Sequence, residues 1–381
     1  MRIAIMMRPI DQNSGFHMYV DGLVEAMLKI APENHYLLLY RTEKYLGRFA
    51  FHKSVTEKLV KAPNKLFWDQ IVIPFVAWKE KVDVIFNPKF NVPLISHCPV
   101  TMGLQEPGYW VEPQYYEKFD VLYQKLMIPI YVRKAAYVFP MANFILEESR
   151  KYINYHFKNA IVTYPAPQKH LKPVADKNIL KQFKIKYNLP EKFILSITRA
   201  DNPGMENSRK WNPCKNPITT LRSFLLLKNK ISHSLVIAGR NIKNYYLESG
   251  FTEKDFERVH FINFIPFEEL QNIYSLAELI VVPPTYEGFG FTLLGALACG
   301  CPAVASKTGT CPEVVGDAAL LADPFSPEDF AEKILMLIND NNLKENLREK
   351  GLKRAHSLSW EKAAELTLKG LYKAVKKKKK Y

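Results

Sequence analysis

The fold of this chain is decided by the stretch Pro284-Thr-Tyr-Glu287-Gly-Phe-Gly-Phe-Thr-Leu-Leu-Gly295-Ala-Leu-Ala-Cys-Gly-Cys-Pro-Ala-Val304. It follows a short apolar run, Leu279-Ile-Val-Val282, which predicts a buried strand, and it continues into an apolar segment typical of a helix. Gly288 and Gly290 predict a turn between the two. Together they offer backbone N–H groups and the positive end of a helix dipole, an arrangement that suits a phosphate or diphosphate.

Apolar runs alternate with amphipathic stretches along the whole chain. In the first half the predicted strands are residues 2–7, 36–40, 82–86, 100–102, 137–139 and 160–163. In the second half they are residues 193–197, 235–238, 259–262, 279–282 and 303–305. Strands that alternate with helices predict α/β domains with parallel, doubly wound sheets. Such sheets bind ligands outside the carboxyl ends of their strands.

A stretch rich in proline and lysine, residues 164–192, separates the two halves. The length of 381 residues is ample for two domains of ordinary size. We therefore predict two Rossmann-like domains, residues 1–168 and 185–358. An amphipathic helix over 360–375 and a basic tail over 376–381 follow them.

Composition indicates a globular protein, with 48% hydrophobic and 24% charged residues. No apolar run reaches the roughly 18–20 residues that span a bilayer. The start, Met1–Arg8, is interpreted as a first strand and not as a signal peptide. We expect a cytoplasmic protein, or one that is peripheral on the cytosolic face of a membrane. The five cysteines predict free thiols, since neither a disulfide framework nor zinc-ligand spacing is present.

The formal net charge of +15 favours an anionic partner. Nucleic acid is not expected, because the sequence carries no zinc-finger, RNA-recognition or helix-turn-helix signature. Anionic lipid head groups or a diphosphate-linked acceptor fit the charge better. The tail Lys376–Lys380 is either a solvated end or a further contact with anionic lipid.

The stretch that follows Leu279 resembles the donor-binding signature of the GT-B glycosyltransferases, in particular the large retaining family 4. The resemblance covers nearly the whole chain and is strongest from Leu189 onward. It implies two Rossmann-like domains that face each other across a cleft, with the terminal helix crossing back to the first. It also implies transfer of a sugar from a nucleoside-diphosphate donor to a hydroxyl acceptor, with retention of anomeric configuration. A polysaccharide, lipopolysaccharide or lipid-linked glycan is the expected acceptor.

By this resemblance three residues carry the chemistry. Glu287 would lie near the donor sugar and orient it, whereas an exposed surface glutamate is the structural alternative. Arg199 and Lys215 would neutralise the leaving diphosphate, whose developing charge sets the barrier. Lys210 competes with Lys215 for this role, because the segment 200–214 is longer than is usual in the family. An ordinary pair of surface cations is the alternative for Arg199 and Lys215.

The donor is expected to contact the first domain, the end of a second-domain strand and the backbone after Glu287. These predicted contacts are Gly15, Gly239, Glu287, Gly288, Phe289, Gly290, Phe291, Thr292 and Gly295. Gly15 stands where many family members carry two glycines, and Asn13 or His17 could point into the cleft beside it. No metal or other cofactor is expected, since no Asp-x-Asp motif stands at a strand end.

Gly295 departs from the family pattern. The family usually carries a second glutamate eight positions after the first, and that carboxylate binds ribose hydroxyls. Glycine offers no acceptor, and the loss of a charged hydrogen bond costs roughly 1.5–3 kcal/mol. We therefore expect weaker donor binding, or a different nucleotide or pose.

The acceptor side is less defined. Family members often have a histidine after the strand at residues 100–102, whereas here Gln105 and Glu106 follow it. Gln105 or Glu106 is predicted to contact the sugar, and His97 is expected at the far end of the strand. Trp110 belongs to an aromatic-rich stretch, residues 107–133, interpreted as a core-packing helix, an acceptor groove or a membrane-facing surface.

Two other functions compete with glycosyl transfer. One is a binding or scaffold subunit of glycosyltransferase fold that no longer catalyses, and the other is a nucleotide-sugar epimerase of the same architecture. Substitution of Glu287 or Lys215 should abolish transfer by an enzyme and leave a scaffold intact. Turnover of the donor without acceptor would favour the epimerase.

Overall fold

The structure of the chain is a computed structural model. The residues that the structure describes are 1–11, 15–105, 107–200 and 213–378. The chain divides into two compact units, Met1–Ala166 with Ser359–Tyr381, and Pro167–Leu358. Among the described residues each unit contains one parallel sheet of six strands. The predicted α/β fold class is therefore confirmed.

The first unit is built on a sheet whose strands all run parallel. The strands are β1 (Arg2–Met6), β2 (His35–Tyr40), β3 (Val55–Leu59), β4 (Val84–Asn87), β5 (Val100–Leu104) and β6 (Tyr137–Pro140). Their order in the sheet is β3-β2-β1-β4-β5-β6. The central strands are apolar and buried along almost their whole length, because helices cover both faces of the sheet.

The helices of the first unit connect these strands. They are α1 (Gly15–Ile30), α2 (Lys65–Phe67), α3 (Ile73–Lys79), α4 (Gly108–Val111), α5 (Lys118–Lys134) and α6 (Asn143–Ile153). A π-helical segment, Trp68–Val72, joins α2 to α3, and we call the resulting continuous element helix 65–79. The connection from β1 to β2 runs one way across the sheet, whereas those from β3 to β4 and from β5 to β6 run the other way. Right-handed crossovers therefore place α1 on one face, and helix 65–79 and α5 on the other.

The second unit repeats the parallel arrangement. Its strands are β7 (Phe193–Ile197), β8 (Ser234–Ala238), β9 (Val259–Ile262), β10 (Leu279–Val282), β11 (Ala303–Ser306) and β12 (Leu320–Ala322). They are ordered β12-β11-β10-β7-β8-β9, so β10 lies near the centre. Its helices are α7 (Lys177–Lys186), α8 (Pro217–Leu227), α9 (Ile242–Glu248), α10 (Leu270–Leu276), α11 (Phe291–Ala298), α12 (Cys311–Val315), α13 (Pro327–Asn339) and α14 (Asn341–Ser357).

The last helix, α15 (Trp360–Lys378), belongs to the first unit and packs against α1. It extends three residues beyond the predicted end at 375. The second unit begins at Pro167, because α7 packs on α10 and its residue Lys186 donates to Glu269 over 2.6 Å. Its boundary thus lies ahead of the predicted start at residue 185.

The predicted strand over residues 160–163 was wrong. Ala160 forms only an isolated parallel bridge with Val138, although the N–H of Ile161 donates to the Val138 carbonyl over 3.0 Å. Pro165 and Pro167 follow and lack the N–H groups that would extend the pairing.

All five cysteines are free thiols, and four of them are buried. Within the described ranges, none of the helices combines the length and the apolarity that a bilayer-spanning segment requires.

Candidate functional site

The candidate site lies at the carboxyl end of β10, where the chain turns into α11. Gly290 is the N-cap residue of α11 and adopts a left-handed conformation with a φ of 93°. A side chain would strain this conformation, so glycine is the residue that allows the sharp turn. The first N–H groups of the helix have no partner within the helix and carry its positive dipole end. The predicted strand, turn and helix start are thus present.

Glu287 and Lys215 meet at this turn. Lys215 Nζ donates a hydrogen bond to Glu287 Oε2, and the side chains are only 25% and 10% exposed. Burial is the largest single influence and acts to lower the pKa of Lys215, but the charge and hydrogen bond of Glu287 together with Cys214 outweigh it, so the pKa is raised. Lys215 therefore remains an ammonium ion at neutral pH. Lys210, its predicted competitor, lies outside the described residues.

The backbone around Glu287 is held by two neighbouring segments. The N–H of Thr285 donates to the Cys214 carbonyl over 3.0 Å, which links the turn to the segment carrying Lys215. The hydroxyl of Thr310 donates to the Glu287 carbonyl over 3.0 Å. A Cβ at Gly309 would lie 2.9 Å from the Glu287 nitrogen, so glycine is needed for this approach. Sequence reasoning missed Gly309 and Thr310, although a glycine three residues past the end of β11 signals such a contact.

Arg199 supplies a second cation. It follows β7 by two residues and is partly buried. Its charge acts on Lys215 to lower the pKa of that ammonium, which places the two cations near each other. The three residues predicted to act together are therefore neighbours in the fold, with two positive charges and one negative charge among them.

The residues after Glu287 differ in how much they are buried. Phe289 is 2% exposed and its ring lies 5.1 Å from that of Phe291, so its side chain packs in the interior. Gly288, Phe291 and Thr292 are partly exposed. Any contact that Phe289 makes with a ligand would therefore come from its backbone.

Packing explains the two remaining glycines that were predicted to contact the donor, Gly239 and Gly295. A Cβ at Gly239 would lie 2.3 Å from the Thr198 carbonyl oxygen, where the ends of β7 and β8 approach each other. A Cβ at Gly295 would lie 3.1 Å from Leu171 Cδ1 and 3.4 Å from Tyr274 Cε2. Gly295 thus faces buried apolar side chains, which leave little room for a larger residue.

Three predicted residues of the first unit are described by the structure, namely Gly15, Gln105 and Trp110. Gly15 is the first residue of α1. Gln105 directly follows β5 and is 5% exposed, and its Nε2 has no hydrogen-bond partner among the described residues. Trp110 lies in α4 and packs against the core of the unit. Glu106 and Asn13 lie outside the described residues.

Two histidines have local partners. The Nδ1 atom of His17 lies 2.8 Å from the Ile10 carbonyl oxygen, and the Nε2 atom of His97 lies 3.0 Å from that of Val82. Because Val82 precedes β4, His97 lies at the amino-terminal edge of the sheet, as predicted. In the part of the chain that the structure describes, no group of three or more potential metal ligands is present.

Comparison with known proteins finds similarity to glycosyltransferases. Residues 207–354 match the family model for glycosyl transferases group 1. Over 303 residues the chain is 26% identical to the O-antigen chain mannosyltransferase B of Escherichia coli, an alignment covering 77% of this chain and 75% of that protein. The family model and this relative support a glycosyltransferase of group 1.

Two further similarities extend this result to a second sequence and to the fold. Over 201 residues the chain is 25% identical to the serotype-specific mannosyltransferase WbdA of Escherichia coli, covering 50% of this chain but only 23% of that protein. Among solved structures, HepE of Anabaena in complex with UDP has a TM-score of 0.74 at 14% identity, covering 98% of this chain and all of that one. The structural likeness shows that this chain has the GT-B class of two-domain α/β fold.

Proposed function

We propose that this glycosyltransferase is a retaining enzyme of family 4 that uses a nucleoside-diphosphate sugar. It transfers the sugar to a hydroxyl group of a glycan or lipid-linked acceptor during polysaccharide or lipopolysaccharide synthesis. The observation that carries the proposal is the Lys215–Glu287 pair at the start of α11, with Arg199 beside it.

The diphosphate of the donor fits the charge of this site. Arg199 and Lys215 offer two cations, and the first turn of α11 offers N–H donors and a positive dipole end. The description of the HepE structure as a complex with UDP supports a nucleotide donor for the same fold. Under this proposal neither nucleotide binding nor sugar transfer requires a metal ion, because Arg199 and Lys215 neutralise the charge of the diphosphate.

The transfer step breaks the bond between the anomeric carbon and the diphosphate oxygen. A bond from the acceptor oxygen to the same carbon forms on the same face of the sugar, so the configuration is retained. The acceptor proton passes to the departing phosphate oxygen, and no dedicated protein base is required. Arg199 and Lys215 stabilise the negative charge that develops on the diphosphate. Glu287 orients the sugar and holds Lys215 in place.

The transferred sugar is mannose under this proposal. Both Escherichia coli relatives are described as mannosyltransferases, and one of them as acting on the O-antigen chain. An acceptor of this kind presents sugar hydroxyls, which suit a buried amide donor. Gln105, with its unpartnered Nε2 at the end of β5, is the residue of the first unit proposed to contact the acceptor.

The first test is a thermal-shift screen with UDP, GDP, ADP and their mannose and glucose conjugates. A ligand at one hundred times its dissociation constant stabilises a fold by about 2.7 kcal/mol, which is readily measured. We expect stabilisation by one nucleotide class, and a weaker shift in Lys215→Met. Lys350→Met, which removes an exposed partner of Asp317, serves as the matched control.

The second test is transfer itself, with a mannose-terminated acceptor and with the anomeric configuration of the product read by NMR. A retained configuration and full activity in excess EDTA are expected. Inversion, or loss of activity on chelation, would refute the mechanism. If donors stabilise the protein but no acceptor is glycosylated, the non-catalytic binding subunit becomes the better proposal. Donor epimerisation without acceptor would instead identify an epimerase.

A further inference from the structure

Helix 65–79 is apolar on two opposite faces. Its inner face contributes Trp68, Ile73 and Ala77 to the core of the first unit. Large apolar side chains on the outer face are between 44% and 62% exposed, namely Leu66, Phe67, Ile71, Phe75 and Trp78. A helix at the surface of a globular domain normally carries polar residues on its outer side. Folding of the unit alone therefore does not explain the exposed apolar side chains of this helix.

Helix α5 repeats the pattern. Its inner side chains Ile128, Tyr131 and Val132 are buried in the same core. Its outer apolar side chains are Phe119, Leu122, Leu126 and Ile130, which are between 41% and 77% exposed. They are spaced three or four residues apart, so they line one face of the helix. We call the exposed apolar residues of the two helices together the outer apolar face.

The two helices lie on the same side of the first sheet. Their crossovers run in the same direction across it, and both pack on one core cluster. Burial and the neighbouring Arg8 lower the pKa of Lys65, at the start of helix 65–79, while Asp120 of α5 opposes them. This interaction places the first turns of the two helices near each other. The exposed apolar residues of both helices therefore lie on the same side of the first unit.

Cations accompany this surface. Lys61, Lys65, Lys79 and Lys81 lie on or beside helix 65–79, and Lys118, Lys125, Arg133 and Lys134 lie on α5. The exposed acids of the same segments are Glu117 and Asp120, whereas Glu80 is paired with Arg2 and Lys58. A basic rim around an apolar face is complementary to a layer of anionic head groups above acyl chains. A second copy would bring like charges together, which is unfavourable.

We propose that the outer apolar face docks the protein on the surface of an anionic lipid bilayer. The apolar side chains enter the boundary between head groups and acyl chains, while the lysines and Arg133 contact lipid phosphates. Phe75 and Trp78, with ring centroids 6.1 Å apart, form an aromatic pair suited to this depth. The contact is peripheral, and it does not depend on which sugar is transferred.

Vesicle flotation of the full chain tests the docking. The probe is a set of vesicles of phosphatidylglycerol and phosphatidylcholine, compared with vesicles of phosphatidylcholine alone. One variant combines Phe75→Ser with Trp78→Ser, and a second combines Leu122→Ser with Leu126→Ser. The control combines Ile185→Ser with Phe325→Ser, which replaces side chains that are 71% and 74% exposed in the second unit. All these side chains are exposed, so the variants should fold.

We expect the unchanged chain and the control to float with anionic vesicles, and each double variant to lose at least about tenfold in binding. Thermal unfolding of every variant verifies the fold. Equal flotation of all four proteins, or flotation that is lost only in the control, would overturn the proposal. Sedimentation velocity without vesicles provides a further check. A dimer that dissociates in the Phe75→Ser and Trp78→Ser variant would also overturn the proposal, since the face would then bind a second copy.

Discussion

Lys215 donates a hydrogen bond to Glu287, which lies 72 residues further along the chain. The pair forms because the segment before α8 and the turn after β10 lie at the same edge of the sheet, where Thr285 also bonds to Cys214. With so little water around it, the carboxylate holds the ammonium in one position. An arriving diphosphate would meet a cation that is already oriented, which is how preorganised charge lowers a reaction barrier.

The first prediction concerns this pair. Lys215→Met and Glu287→Gln should each lower kcat for sugar transfer by at least about 10²-fold, as removal of one preorganised charge typically does. Lys215→Met removes the charge that is proposed to stabilise the leaving group. Glu287→Gln keeps the shape of the side chain but loses the charge that fixes Lys215. Initial rates with saturating donor and acceptor provide the measurement.

The surface variant Lys350→Met should retain the activity of the unchanged chain, since its partner Asp317 is largely exposed. The double variant of Lys215 and Glu287 should be about as slow as either single variant, because the two act as a unit. A folded Lys215→Met protein with unchanged kcat would contradict the assignment of this cation to the leaving group.

The second prediction concerns pH. The Glu287 carboxylate raises the pKa of Lys215 above its ordinary value of 10.5 against the opposing effect of burial. A raised pKa in the folded state contributes stability that is fully present below 10.5 and is lost as pH rises through the folded value. The unchanged chain should exceed Lys215→Met in free energy of unfolding by about 1–3 kcal/mol at pH 8.

Urea unfolding of both proteins between pH 8 and pH 11.5 measures this difference. It should stay constant to about pH 10 and shrink above that, because the lysine of the unfolded chain then loses its proton while the folded chain still holds it. A difference that grows with pH would mean that burial dominates and that Glu287 does not protect the charge.

Whether a strand or helix of this fold could be predicted from the sequence depends on which of its faces are buried. The run Leu279–Val282 is apolar because both faces of β10 are covered, and it was correctly predicted. Strand β3, Val55–Leu59, is an edge strand of mixed polarity and was missed. Helix 65–79 was missed for the opposite reason, since apolar residues on both faces erase the helical period.

The site shows a similar limit. Glu287 and Lys215 were each singled out from local motifs, but their hydrogen bond joins distant segments and no local pattern encodes it. Gly295 was interpreted as a missing ligand for ribose. Its contact with Leu171 depends on how the segment before α7 packs against α11, which only the folded structure shows.

The third prediction follows from that packing. Gly295→Glu should lower the free energy of unfolding by at least about 1–3 kcal/mol, because its side chain must displace Leu171 or Tyr274 in a filled interior. Gly295→Ala should be nearly neutral, since a gain of up to about 1 kcal/mol in helix propensity offsets a Cβ contact of 3.1 Å with Leu171. Urea unfolding compares the three proteins.

Donor titration of the same variants separates packing from ligand binding. If Gly295→Glu keeps the stability of the unchanged chain and binds the nucleotide donor more tightly, its carboxylate reaches the ligand. The packing argument would then fail, and residue 295 would belong to the donor site.

The fourth prediction concerns the packing of α15 on α1. A Cβ at Gly22 would lie 2.4 Å from Cε2 of Trp360, whose side chain is buried. Gly22→Ala should therefore destabilise the first unit by about 1–3 kcal/mol, because the indole must move out of its place. Lys29→Ala, at an exposed position of the same helix, is the matched control and should change stability by less than about 0.5 kcal/mol.

Combining Gly22→Ala with Trp360→Leu makes this prediction specific to the contact. Leucine leaves space where the indole lay, so the added methyl group should cost less in the double variant than in the unchanged chain. A double-mutant cycle of unfolding free energies should show a coupling of at least about 0.5 kcal/mol, as for residues in contact. Additive effects would show that Gly22 and Trp360 do not meet, and α15 would then hold to the first unit by other contacts.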